Sequence, residues 1–119
     1  MKRKHNYKEL KVWLKARFFV NSIYTATKMF PKEELFCLTQ QMRRAAISIP
    51  SNIAEGFGRG TNPQIVHFLD IAQGSAFELE TQIYISFDQN YITSEHCDSL
   101  QFEIEEIKKM IDALQSAYS

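Results

Sequence analysis

The side chains with the clearest chemistry in this sequence are cations. Lys8, Lys11, Lys15 and Arg17 stand near its start, Arg43 and Arg44 lie within QQMRRAAISIP, and Arg59 falls in GFGRG. A guanidinium is a planar fork of donors that grips phosphate oxygens in pairs, so the arginines suit a nucleic-acid surface. Lys4, Lys8, Lys11 and Lys15 follow one another at spacings of four, three and four, which makes a lysine stripe if a helix reaches that far back. Lys2 and Arg3 add charge beside it. Binding through such a stripe falls steeply with salt, because each neutralised phosphate releases counterions. The competing expectation is structural: the lysines form a solvated face, and Arg43, Arg44 and Arg59 pair with acids of later helices, for example Glu80 or Glu106.

Other chemistries find too few residues. GFGRGTNP runs into a new helix whose first N–H groups attract anions. Dinucleotide and Walker loops, however, follow a strand with fixed glycine spacing, whereas these glycines follow a helix and lack Gly-Lys-Ser/Thr. Gly56 reads instead as a helix C-cap. His5, His67 and His96 are scattered, and His67 with Asp70 makes only a two-member pair, short of what zinc requires. Glu78 and Glu80, two apart on a helix, point in different directions and form no acid–base pair. No catalytic, cofactor-binding or metal-binding residue is expected, and the chain reads as a non-enzyme.

The elements that must position the cations are helices. Val12, Ala16, Phe19, Ile23, Ala26 and Phe30 recur every three or four residues, predicting a helix over about 8–29 that ends before Pro31. Leu38, Met42, Ala46, Ile49, Ile53 and Phe57 predict a second over about 38–56. Pro50 within it forfeits a hydrogen bond to the Ala46 carbonyl at a cost of roughly 3 kcal/mol. The stripe nevertheless keeps register from Ile49 to Ile53, so a kinked continuous helix is expected, with Ser48 or Ser51 bonding freed backbone groups. A third helix over about 63–90 has Asn62 as its N-cap and Pro63 at its first position. The fourth, about 94–118, is capped by Thr93 or Ser94 and carries an unbroken seam from Cys97 to Tyr118. Strand-like alternation is absent and the links are short, which predicts one all-α domain over 1–119, an antiparallel up-down-up-down four-helix bundle. Val66, Phe77, Tyr84 and Ile85 lie outside the main stripe of the third helix, and such surplus apolar surface predicts a homo-oligomer. Gly74, Ser75 and Ala76 read as a small-residue packing notch within or between subunits.

The 119 residues, 45% of them hydrophobic, are enough for one domain with a real core. The net charge of zero hides an asymmetry: residues 1–60 hold 12 Lys or Arg against 4 Asp or Glu, and residues 61–119 hold 2 against 10. Such polarity suits either a basic binding surface or attraction between the two halves. Cys37 and Cys97 belong to no Cys-x-x-Cys pair and read as core or near-core thiols of a reducing cytoplasm. With no run of signal-peptide or membrane-spanning character, a cytoplasmic protein without membrane association is expected.

FPKEELF (30–36), LTQQMRRAAISIPSNIAEGFGRG (38–60) and FLDIAQGSAFELETQ (68–82) resemble the signature of bacterial four-helix-bundle proteins related to those encoded in intervening sequences of 23S rRNA genes. The likeness runs from about Tyr7 to Leu114, with Cys37 where a glycine is expected and Gln73 where an apolar residue is common. It implies an antiparallel four-helix bundle. Through similarity to the accessory variability protein of diversity-generating retroelements, it also implies a ring-like homopentamer that works with a reverse transcriptase and binds nucleic acid through a basic surface. It implies no cofactor and no catalytic residue. The expected function is a non-enzymatic homo-oligomer binding RNA or DNA phosphates; the alternative is a protein-interaction adaptor with no nucleic-acid contact.

Overall fold

Apolar residues recurring every three or four positions can be buried together only between helices, and the computed structural model, which describes residues 6–119, is built that way. Helix α1 spans Lys11–Thr27, α2 Gln40–Arg59, α3 Asn62–Asp88 and α4 Ser94–Tyr118, with no strand among the described residues. Their order in space follows from who touches whom. Met42 meets Ser86 and Ser48 meets Ser75, so residue numbers fall along α3 as they rise along α2. Val66, Gln73 and Glu80 of α3 likewise bond Gln115, Lys108 and Gln101 of α4 in descending order. Helix α1 packs on both α2 and α4 and closes an antiparallel four-helix bundle measuring 52 × 24 × 20 Å. Every helix feeds the same core: Phe19 and Ile23, Ile49 and Ile53, Leu69 and Leu79, Ile104 and Ile107 are all buried. Each such side chain contributes about 1.5–3 kcal/mol over leaving it in water.

Several boundaries differ from expectation, each for a local reason. Helix α1 begins at Lys11 because Leu10 is extended, with φ −72° and ψ 127°. The preceding Tyr7–Glu9 segment is a 3-10 turn capped by the Asn6 side chain. The lysine stripe is therefore broken: Lys8 rides on the turn, Lys11 and Lys15 on the helix, and Lys2, Arg3, Lys4 and His5 lie outside the described residues. Helix α2 is entered through a 3-10 turn, Lys32–Glu34, and a π turn, Leu35–Thr39, in which Phe36 leaves helical geometry at φ −99°, ψ 15°. Cys37, expected in or near the core, is exposed on this turn, whereas Cys97 is buried as anticipated.

Helix α2 runs on through Pro50 and past Gly56 to Arg59. Its left-handed cap is Gly60, at φ 80° and ψ 4°, not Gly56. Gly56 serves packing instead, because a Cβ there would lie 2.9 Å from Phe68 Cβ, and the missing side chain lets α2 and α3 approach. Near the proline, Ser48 shares a 2.8 Å hydrogen bond with Ser75 of α3, and the Asn52 amide donates to the Ser48 carbonyl at 2.8 Å. Gly74 is exposed and nothing lies within 4 Å of a Cβ built on it, so among the described residues no neighbour fills a notch at that glycine. Thr61 rather than Asn62 caps α3, accepting from the Gln64 N–H at 3.4 Å, while Thr93 caps α4 from the expected position.

Candidate nucleic-acid interface

Charge divides between the two hairpins of the bundle. Helix α1 contributes Lys11, Lys15 and Arg17 and no acid; α3 contributes Asp70, Glu78, Glu80 and Asp88 and no lysine or arginine. Helix α2 sets Arg43, Arg44 and Arg59 against Glu55 alone, and acids predominate on α4.

Within the cationic hairpin the candidates have unequal freedom. Lys15 bridges to Glu106 of α4 at 2.8 Å, and Arg59 to Glu55 at 2.9 Å while lying over the Phe68 ring. The pairing of Arg43, Arg44 and Arg59 with Glu80 or Glu106 does not occur, since Lys108 occupies Glu80 and Lys15 occupies Glu106. Arg43 is half-buried: its Nε donates to Thr27 Oγ1 at 2.9 Å and its guanidinium covers the Tyr24 ring at 4.6 Å. The Thr27 hydroxyl donates onward to the Ile23 carbonyl at 2.7 Å, which fixes the acceptor. Among the described residues no carboxylate bridges Arg43, and Arg44 is exposed with no ion pair. Arg17 is exposed and lies near the Trp13 and Phe18 rings at 5.5 and 5.8 Å; Lys8 and Lys11 are exposed as well.

These cations do not make one patch. Arg43 and Arg59 sit at opposite ends of α2, roughly 24 Å apart at the helical rise. Arg59 turns to α3 and Lys15 to α4. Among the described residues Arg17, Arg43 and Arg44 on the α1/α2 side form no ion pair, although Arg44 also lines a pocket with Glu78 of α3; Lys8 and Lys11 at the start of α1 form none either.

Apolar periodicity does not announce the groove beside Arg43 and Arg44. Tyr24, Leu35, Phe36 and Ile47 line it with the two arginines, enclosing about 300 Å³. Leu35 and Phe36 belong to neither helical stripe, and that misfit is the one sequence signal that could have marked them. Of the residues expected at an oligomer interface, Phe77, Tyr84 and Ile85 are 54%, 53% and 41% exposed. Val66 is half-buried, and its carbonyl accepts from the Gln115 amide. Among the described residues no cluster of three metal-ligating side chains forms, and no helix is long and apolar enough to cross a membrane.

The bundle has solved counterparts. A crystal structure from Bacteroides thetaiotaomicron, of a protein with unknown function from the S23 ribosomal protein family, matches with a TM-score of 0.81 and 26% identity, covering 88% of this chain and 95% of that one. No curated protein matches the chain. The sequence pattern of the 23S rRNA-intervening sequence proteins matches residues 8–113, from the turn before α1 nearly to the end of α4, and the chain therefore belongs to that family.

Proposed function

We propose that this chain is a non-enzymatic, self-associating helical bundle that holds nucleic-acid phosphates on the face formed by α1 and α2. The observation that carries the reading is Arg43, a half-buried guanidinium held in place by Thr27 and Tyr24 with no carboxylate bridging it among the described residues. A cation partly withdrawn from water is stabilised by an anion, and a phosphate supplies one with matching geometry. Arg44 adjoins it and Arg17 extends the charge along α1, which has no acid to compete; Lys11 lies farther round α1, beside Met110 and Leu114 of α4. Lys15 and Arg59 are secondary, because each must first leave its glutamate. The family's description, which ties its members to 23S rRNA intervening sequences, makes RNA the first ligand to try.

Labelled RNA titrated at roughly 50 and 200 mM salt tests this. About four neutralised phosphates predict a 50- to 150-fold loss of affinity between the two conditions. The double substitution Arg43→Ala, Arg44→Ala flattens the log–log salt slope by about 1.5–2. Absence of binding at low salt, or binding indifferent to salt, overturns the proposal. In that event the exposed Phe77 and Tyr84 on α3 favour the adaptor reading, and a defined protein partner retained after nuclease treatment supports it.

A further inference from the structure

Phosphate binding alone has no use for exposed aromatic rings, yet the α1/α2 face displays them among its cations. Phe36 is 85% exposed, and it stands in the groove whose other apolar walls are Tyr24, Leu35 and Ile47 and whose charges are Arg43 and Arg44. The backbone makes this arrangement. Because Phe36 leaves helical geometry, the π turn sends Leu35, Phe36 and Cys37 to the surface while Leu38 and Thr39 go inward. Glu34, the nearest acid in sequence, is engaged elsewhere: it accepts the Leu38 N–H at 3.4 Å and the Tyr91 hydroxyl at 2.8 Å. Further along the same hairpin Arg17 repeats the pairing of cation and ring, beside Trp13 and a Phe18 that is 59% exposed.

We propose that this face takes single-stranded nucleic acid, an unpaired base lying in the groove against Phe36 while the flanking phosphates rest on Arg43 and Arg44. The proposal rests on the phosphate reading above and adds the state of the strand. In a duplex both faces of a base are stacked and only its edges are accessible, so an exposed ring gains little from it. In a single strand every base has a face to offer, and a platform of aromatic rings interleaved with cations binds it with little regard to sequence. Among the described residues Arg43 donates a hydrogen bond only from its Nε, and the Tyr24 ring covers one face of the guanidinium, which leaves its terminal amino groups for a phosphate.

The probes are a labelled single-stranded RNA of mixed sequence and the blunt duplex of the same strand, titrated at low salt against the full chain, Phe36→Ala and Phe36→Trp. Single-strand affinity is expected to exceed duplex affinity by at least tenfold. Phe36→Ala is expected to weaken the single strand about 5- to 100-fold while leaving duplex affinity and the salt slope unchanged, and Phe36→Trp to restore it. Since Phe36 is exposed, melting temperatures should match. Equal affinity for the two forms, or single-strand binding untouched by Phe36→Ala, overturns this proposal and leaves phosphate binding standing. Failure of every probe to bind overturns both. Displacement of the strand by poly-glutamate equally from wild type and Phe36→Ala would mean that charge alone governs the groove, and it too would sink the proposal.

Discussion

Gly56 sets the spacing of two helices by what it lacks. A methyl group there would meet Phe68 Cβ at 2.9 Å, with Ile65 backbone atoms at 3.4 Å, and neither is the free end of a flexible chain. Gly56→Ala is therefore expected to destabilise the bundle by about 1–3 kcal/mol, the usual cost of overpacking a close contact. Gly58 and Gly74 are the controls: a Cβ meets nothing within 4 Å at either, and both sit inside helices. Alanine at those positions should raise stability by roughly 0.5–1 kcal/mol through lower chain entropy. Urea denaturation midpoints of the three variants check this, and a neutral Gly56→Ala would show that α2 and α3 can part without cost. The same residue marks a limit of the sequence. GFGRG offers three glycines to cap one helix, and local chemistry does not say which adopts φ > 0; the contact with Phe68 reserves the first for packing and leaves the cap to Gly60.

Between α3 and α4 runs a polar seam that apolar periodicity passes over. Lys108 is 8% exposed, bridges Glu80 at 2.8 Å and Glu105 at 3.0 Å, and lies over the Phe77 ring. Gln73 is buried where the family resemblance suggests an apolar residue, and its amide donates to the Lys108 carbonyl at 3.0 Å and to Asp112 at 2.7 Å. Removing Glu80 leaves the ammonium with Glu105 alone, so Glu80→Ala should cost roughly 1–3 kcal/mol. Lys108→Met keeps the stem, frees Glu80 toward water and should cost less. Burial lowers the lysine pKa, but hydrogen bonds and charge from Glu80 and Glu105 outweigh it and hold the net value above the ordinary one. Because the folded-state value exceeds the unfolded one, the contribution is whole below the ordinary lysine range and fades as pH rises through the folded value. Chemical denaturation from neutral to strongly alkaline pH should show the stability difference between wild type and Lys108→Met holding constant until the lysine titrates and changing only at the alkaline end; a difference that stays the same throughout would assign the stability to packing and not to the ion pairs. The helices themselves were legible because burial repeats with the helical period in all four. The start of α1 was not, since Leu10 is extended without a glycine or proline to signal it. Nor was the partner of Lys15, which depends on how α1 and α4 register against one another; Arg59 instead takes Glu55, an i,i+4 neighbour available only because α2 runs past Gly56. The cations could be picked out by type, but which of them stay free is a property of the assembled bundle.

At the scale of the molecule, a cationic hairpin and an acidic one share a chain whose net charge is zero. That division bears on assembly. The exposed Tyr84 and Ile85 lie on α3, which has no lysine or arginine, whereas the candidate phosphate face lies on α1 and α2. Self-association through the α3 stripe would leave the cationic faces of several protomers available at once. Each face is short: the 17 residues of α1 extend about 26 Å at the helical rise, which only a few extended nucleotides would cover. A long strand could then engage neighbouring faces, and each later contact forms at high effective concentration, so avidity can add about 10²–10⁴ to the affinity of one face without any new kind of contact. Wild type should accordingly scatter light as a multiple of the 13.9 kDa protomer and bind RNA more tightly as the strand lengthens. The double substitution Tyr84→Asp, Ile85→Ser, on exposed positions of a helix that carries no lysine or arginine, should give a monomer that melts as wild type does and binds short strands equally well, but gains little from longer ones. A wild-type monomer mass would refute self-association. The same gain with length in both proteins would show instead that each cationic face acts alone, with the apolar stripe of α3 serving some other contact.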